Sequence, residues 1–150
     1  MNCSREEYMG HLLAMCGQQC KKRMDQKLQK FDITQAQAHV ILYLLHAEQN
    51  GEVNQKDLEK QFQIKASTVN GIVERLEEKG FLQRTAGQRD GRCRRLLVTE
   101  KGRQLERELD QGIADTEALM VQGFSVDEKK ALHELLRRML ENLKGGEAGL

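Results

Sequence analysis

Arginines and short polar side chains are concentrated in one stretch of the chain, between residues 54 and 102. Five arginines fall between residues 84 and 95, and Ser67, Thr68 and Asn70 precede them. A guanidinium group can bind a phosphate through two parallel hydrogen bonds, and hydroxyl and amide groups can bond to phosphates or base edges. This combination of residue types indicates noncovalent binding of a polyanion.

The charge distribution supports the same interpretation. The whole chain carries a net charge of only +1, but residues 65–103 contain ten lysines and arginines against five acids. That segment therefore carries +5, and the rest of the chain carries −4. A basic patch on an otherwise acidic body is typical of a nucleic-acid-binding surface.

Several other classes of function are not indicated. The sequence has no phosphate-binding loop, nucleophile elbow or clustered acid–base set, so we expect neither enzyme activity nor a cofactor. No signal-peptide pattern or long apolar run occurs, which predicts a cytoplasmic protein with reduced thiols. Cys16 and Cys20 lie four residues apart, and no second pair completes a zinc set, so no metal site is predicted.

The elements that would position these residues are mainly helices. Apolar spacing predicts a first helix over about residues 4–30, too long to bury its apolar stripe within one small domain, and a second subunit is one way to cover it. Thr34 is predicted to cap a second helix, 35–47, with Gln37 at its third position. Asn54 is predicted to cap a short third helix, 55–61.

The third helix and the one that follows it resemble a helix-turn-helix, and a hairpin comes next. Residues 66–79 predict a helix with an apolar inner face, ended by Gly80. Its outer face is small or polar and carries Ser67, Thr68, Asn70, Gly71 and Arg75. Such a helix pair also occurs in proteins that do not bind DNA.

A hairpin is predicted from residues 81–85 and 93–98, joined by a glycine-bearing loop with Arg89 and Arg92 near its tip. Asp90 is placed to pair with Arg92. Thr99 is then expected to cap a long helix that ends before Gly123. A capping box at residues 125–128 starts the last helix, and residues 144–150 are expected to fray.

Three stretches, read together, resemble a known family. They are Asp32 to Gln37, Ser67 to Leu82, and Arg84 followed by Asp90-Gly91-Arg92 and Leu96 to Gly102. Over about residues 5–143 the chain resembles the MarR family of winged helix-turn-helix transcription regulators. The resemblance implies a single MarR-like domain over residues 1–150. Within it, a winged lobe would span about 33–100, and dimerisation helices would span about 4–31 and 100–143.

The resemblance also implies a homodimer that binds a pseudo-palindromic DNA operator, and we expect a repressor. Helix 66–79 would enter the major groove as the recognition helix, and the hairpin would reach an adjacent minor groove as the wing. Some of Arg84, Arg94 and Arg95 are expected to pair with local acids instead. The predicted DNA contacts are Lys65, Ser67, Thr68, Asn70, Arg75, Arg84, Arg89, Asp90 and Arg92.

Release of DNA by a small ligand is a further expectation from the family. An aromatic acid or phenol is the expected effector, and His11, Met15, His39 and Tyr43 are the candidate contacts, with core or interface roles as the alternative. His39 resembles a residue of the zinc-sensing branch. Residues 103–110 lack the histidine pair which that branch uses, so zinc sensing is not expected.

Two alternatives to ligand release stay open. The thiols of Cys16, Cys20 and Cys93 could sense oxidants, since lysines and an arginine follow Cys20 and would favour a thiolate. Gly10 falls where the peroxide-sensing branch of the family has its reactive cysteine, which weakens that reading. The alternative of another class is a winged-helix module that docks on a protein and binds no DNA.

Overall fold

The computed structural model describes residues 8–87 and 94–145. The chain divides into two compact units, Met1–Ile113 and Ala114–Leu150. The predicted fold class, mainly α with a small β-hairpin, is confirmed. The elements in chain order are α1 (Met9–Lys30), α2 (Gln35–Ala47), a 3-10 turn (Glu48–Asn50), α3 (Gln55–Phe62), α4 (Ala66–Glu78), β1 (Leu82–Ala86), β2 (Arg94–Val98), α5 (Glu100–Met120) and α6 (Val126–Gly145).

Local capping signals set the starts of two helices in the first unit. At α2, the Gln37 N–H donates to the Thr34 hydroxyl and the Gln37 side chain accepts from the Thr34 N–H, so the predicted capping box is confirmed. At α3, Asn54 and Asp57 make the same reciprocal pair. Each box satisfies amide groups that the first helical turn leaves without an intrahelical partner.

The core of the first unit lies where α2, α3, α4, the hairpin and the start of α5 meet. Phe81 is fully buried there, and its ring lies 6.4 Å from the ring of Phe31, centroid to centroid. The nearly all-apolar α2 lies inside, as its sequence predicts. The other fully buried large side chains are Ile41, Leu44, Leu58, Leu76, Leu82, Leu96 and Leu105.

The hairpin joins α5 at a close backbone approach. Thr99 occupies the predicted cap position, but its hydroxyl donates to the Gly80 carbonyl at 2.6 Å. Its backbone N–H donates to the Phe81 carbonyl. A Cβ at Gly102 would overlap the Val98 Cγ1 methyl and would lie 3.1 Å from that same Phe81 oxygen. Glycine at position 102 is therefore what lets α5 start against the end of β2.

Two helices expose apolar side chains. In α1, Tyr8 at the N-cap, Met9 and Leu12 are more than half exposed, and Leu28 is the buried residue. In the second unit, Gly123 ends a turn with φ +84°, and α6 begins at the predicted Ser125–Glu128 capping box. Within Val126–Gly145 no side chain is buried, and the exposed apolar set is Val126, Leu135, Leu136, Leu140 and Leu143.

Candidate nucleic-acid interface

The turn between α3 and α4 fixes how the two helices cross. Gln63 closes α3 in the left-handed conformation, with φ +51°, and its N–H donates to the Glu59 carbonyl. The Ile64 N–H donates to that same carbonyl. Across the turn, Leu58 of α3 and Val69 of α4 are both buried, so the apolar inner face predicted for α4 is confirmed. The outer face of α4 therefore faces the solvent.

The start of α4 is exposed and basic. Lys65, Ser67 and Thr68 are exposed there, and Arg75 is exposed in the last turn of the same helix. The first turn of α4 carries no acid, and the N-cap Lys65 makes no side-chain cap hydrogen bond. A helix N-terminus presents N–H groups and a partial positive charge, which favours phosphate. This surface can therefore bind a phosphate backbone and present hydroxyl groups to base edges.

Gly71 gives the same face a flat region. It lies one turn along α4 from Thr68, and a Cβ built there meets no atom within 4 Å. The protein itself therefore does not require glycine at this position. A surface that approaches α4 closely would find room there.

Asn70 differs from the other predicted contacts on α4. It is half-buried, and its side-chain oxygen accepts from Gln55 Nε2 at 3.4 Å and from Arg84 Nη2 at 3.3 Å. Its side-chain nitrogen donates to Glu74 Oε1 at 2.8 Å. Both ends of the amide are thus bonded within the protein.

Arg84 is likewise bonded within the protein. Its side chain is 16% exposed, and Nη1 lies 3.9 Å from Glu77 Oε1. Its backbone N–H donates to the other oxygen of the Glu77 carboxylate at 3.1 Å. The expectation that some hairpin arginines pair with local acids is confirmed here, and Arg95 likewise lies 3.9 Å from Glu52.

In the hairpin that would form the wing, β2 is hydrogen-bonded along both of its edges. On one edge, β1 and β2 pair antiparallel, with Leu82 opposite Val98 and Ala86 opposite Arg94. On the other edge, the Leu96 N–H donates to the Val53 carbonyl and the Val98 N–H donates to Glu48 Oε1. The predicted tip residues Arg89, Asp90 and Arg92, together with Cys93, lie outside the described residues.

Glu48 was not singled out by the sequence. Its second carboxylate oxygen accepts from Arg103 Nη2 of α5 at 2.7 Å, so one side chain bonds both β2 and α5. A glutamate in a turn gives no local signal for this role. Its partners lie 50 and 55 residues away along the chain.

The effector candidates occupy different environments. His11 and Met15 are exposed on α1, and His39 is exposed on α2. Tyr43 is half-buried, and its ring packs edge-on against Phe62, with ring centroids 5.6 Å apart. Of the four, Tyr43 is the one that the structure packs against a neighbouring ring.

The two described thiols also differ in exposure. Cys16 is exposed on α1, and Cys20 is half-buried one turn further along the helix. Reagents in solution can therefore reach Cys16 more readily than Cys20.

Two site types are not found in the part of the chain that the structure describes. Residues 8–87 and 94–145 contain no cluster of three or more His, Cys, Asp or Glu side chains placed to hold a metal ion. None of their helices is long and apolar enough to cross a membrane.

Comparison with known proteins identifies the fold just described. A model of the MarR family matches residues 31–92, from the end of α1 to the hairpin loop. The transcription regulator MarR from Oenococcus oeni is 34% identical, and the match covers 89% of this chain and 99% of that one, with a TM-score of 0.56. The chain belongs to the MarR family. It is a winged helix-turn-helix, DNA-binding transcription regulator, and its family consists of regulators rather than enzymes.

A DNA-bound structure is among the similar MarR-family structures. The DNA complex of MepR from Staphylococcus aureus matches with a TM-score of 0.82 and 29% identity, covering 89% of this chain and 98% of that one. The HTH-type transcriptional regulator YwoH of Bacillus subtilis is 27% identical over 134 residues, which is 87% of this chain and 95% of the relative. In this MarR-family chain, α3 and α4 are the helix-turn-helix and the hairpin is the wing.

Proposed function

We propose that the chain is a repressor that binds a pseudo-palindromic operator as a homodimer. The observation that carries this proposal is the exposed start of α4, where Lys65, Ser67 and Thr68 lie with no acid in the first turn, together with the exposed Arg75 further along the helix. These residues would bond phosphates and base edges in a major groove. Arg89, Asp90 and Arg92 of the wing would contact the neighbouring minor groove. The similarity to DNA-bound MepR supports this assignment.

The homodimer is proposed from exposed apolar surface. On α6, Leu135 and Leu140 are each 52% exposed and Leu143 is 70% exposed. Contiguous apolar surface of this kind marks a protein–protein interface. Helices about 4–31 and 100–143 would form that interface and the lobe about 33–100 would bind DNA, with both parts belonging to one MarR-like domain.

Operator selection from random duplex DNA tests the proposal. The full-length protein should enrich one motif whose two halves are related by inversion, because a two-fold symmetric dimer reads both halves alike. Binding should weaken steeply as salt rises. Enrichment of no sequence at low salt would instead favour the protein-docking module.

We propose that a small ligand releases the DNA, and that His11, Met15, His39 and Tyr43 contribute to its binding. An aromatic acid or phenol is our first class of ligand, because an aromatic ring can pack against Tyr43 and Phe62. One of the similar structures is S. aureus MepR bound to ethidium bromide, so this dye belongs in the same screen. The assay is displacement of labelled operator by each compound. Tyr43→Phe is the mild variant, since it keeps the ring contact.

A thiol sensor is the second candidate, favoured by the exposure of Cys16 in the isolated protomer. Peroxide should then weaken operator binding, and dithiothreitol should restore it. A Cys16→Ser, Cys20→Ser, Cys93→Ser variant should become insensitive. If that variant still releases DNA when treated with peroxide, the thiol mechanism is wrong.

A further inference from the structure

Asn70, Glu77 and Arg84 form one hydrogen-bonded cluster where α4 meets β1. Arg84 contributes three groups to it, because both terminal guanidinium nitrogens and the backbone N–H face α4. Gln55 extends the cluster to α3 through its bond to the Asn70 oxygen. The cluster therefore links the two helices of the helix-turn-helix to the first strand of the wing.

The burial of the Arg84 side chain limits its ability to bind a phosphate. Its side chain is 16% exposed, against 41% for Glu77, and its Nε is buried with no hydrogen-bond partner. A guanidinium binds phosphate by presenting two N–H groups side by side. Phosphate binding by Arg84 would therefore compete with its bond to Asn70 and its ion pair with Glu77.

The chain segment that connects α4 to β1 is short. α4 ends at Glu78, Gly80 takes a φ of +81°, and β1 begins at Leu82. A turn of this length fixes the distance between the two elements but leaves their relative tilt to side-chain contacts. Glu77 and Asn70 lie about two turns apart on α4, so Arg84 contacts the helix at two points along its axis.

We propose that Arg84, Asn70 and Glu77 are positioning residues that fix the tilt of the recognition helix relative to the wing, and that Arg84 does not bind DNA phosphate. This inference depends on the operator binding proposed above. Specific binding requires the α4 face and the wing to reach adjacent grooves together, whereas nonspecific binding requires only charge. Loss of the cluster should therefore reduce discrimination between DNA sequences more than it reduces overall attraction to DNA.

The first test compares Arg84→Met with Arg75→Met. Both variants remove one arginine charge, but Arg75 is exposed on the face of α4 and lies outside the cluster. Affinity for the selected operator and for a scrambled duplex is measured at several salt concentrations. Arg84→Met should lower the operator-to-scrambled affinity ratio about tenfold, the order of one lost base-pair contact, with an unchanged salt slope. Arg75→Met should reduce the salt slope by about one.

The second test measures coupling between Arg84 and Glu77. Glu77→Gln removes the ion pair but keeps an oxygen that can accept from the Arg84 N–H. Glu78→Gln is the matched control, since it makes the same charge change at an exposed neighbour outside the cluster. Glu77→Gln should lower the affinity ratio and Glu78→Gln should not. In the Arg84→Met, Glu77→Gln double variant, the operator-to-scrambled affinity ratio should fall no further than in the more affected single variant.

Three results would overturn the inference. A salt slope that falls by about one in Arg84→Met would mean that Arg84 contacts phosphate. A lower melting temperature with an unchanged affinity ratio would mean that the cluster only stabilises the fold. If the affinity ratio of the double variant falls by the product of the two single-variant factors, the residues act separately. By contrast, a wild-type protein that binds no duplex DNA would refute the proposed function itself.

Discussion

Replacing a helical glycine by alanine should have opposite effects at two positions of this chain. In α4, Gly71→Ala introduces a methyl group that meets no atom within 4 Å. The free energy of unfolding should therefore rise by about 0.5–1 kcal/mol, because alanine is a better helix former and restricts the unfolded chain. In α5, Gly102→Ala places the same methyl group against Val98 and against the Phe81 carbonyl.

The size of the destabilisation by Gly102→Ala depends on whether the neighbouring atoms can move away. The Phe81 oxygen accepts from the Thr99 N–H at 3.0 Å, so moving it away from α5 would break that bond. Val98 is 7% exposed and is packed in the core, so its methyl groups have little free space. Overpacking of a well-packed site costs about 1–3 kcal/mol, and the overlap with Val98 together with the 3.1 Å contact to a backbone oxygen puts this case at the upper end. After about 1 kcal/mol is subtracted for helix propensity, Gly102→Ala should destabilise by about 2 kcal/mol.

Urea denaturation at one fixed protomer concentration measures both variants, since the stability of a dimer depends on concentration. Gly102→Ala should also lower the melting temperature by about 4–8 °C. In a Val98→Ala background, the added cost of Gly102→Ala should fall by half or more, because the side-chain overlap is gone. The reasoning is wrong if Gly102→Ala is neutral, or if its cost is the same in both backgrounds.

The remaining predictions concern the wing, the helix-turn-helix and the dimer. Arg92→Ala should weaken operator binding by about 1–3 kcal/mol in a fluorescence anisotropy titration, and an unchanged affinity at physiological salt would refute the wing contact. Gln63→Gly should raise the unfolding free energy by about 0.5–1 kcal/mol, since glycine adopts a φ of +51° at little cost, and chemical denaturation measures this. Leu140→Lys should convert the proposed dimer to monomer in light scattering, because it puts a charge into the exposed apolar face of α6; a dimer of unchanged affinity would argue against that interface.

Much of the fold could be predicted from the sequence because its signals are local. The capping boxes at Thr34 and Ser125 each join residues three apart, and both are confirmed. Gly80 ends the recognition helix with a positive φ, as a glycine after a helix predicts. The predicted Asn54 cap is confirmed, and the Asn-x-x-Asp spacing is a local signal for the whole Asn54–Asp57 box.

The site was less predictable because its decisive contacts join distant residues. Asn70 and Ser67 have similar polarity and lie on the same helix, so their sequence pattern predicts the same role for both. Only the position of β1 shows that Asn70 bonds to Arg84, 14 residues away. The role of Glu48 cannot be predicted for the same reason, because its partners belong to β2 and α5 and are distant in sequence.

The outer edge of β2 has a consequence for exchanging parts between related regulators. The N–H groups of Leu96 and Val98 bond to the Val53 carbonyl and the Glu48 carboxylate, and both of these acceptors lie before the helix-turn-helix in the chain. A chimera that received only residues 82–98 would have a strand edge matched to another protein's turn, and any mismatch there would leave amide groups without acceptors. Residues 48–53 therefore have to be exchanged together with residues 82–98, even though 28 residues of helix and turn separate them in the sequence.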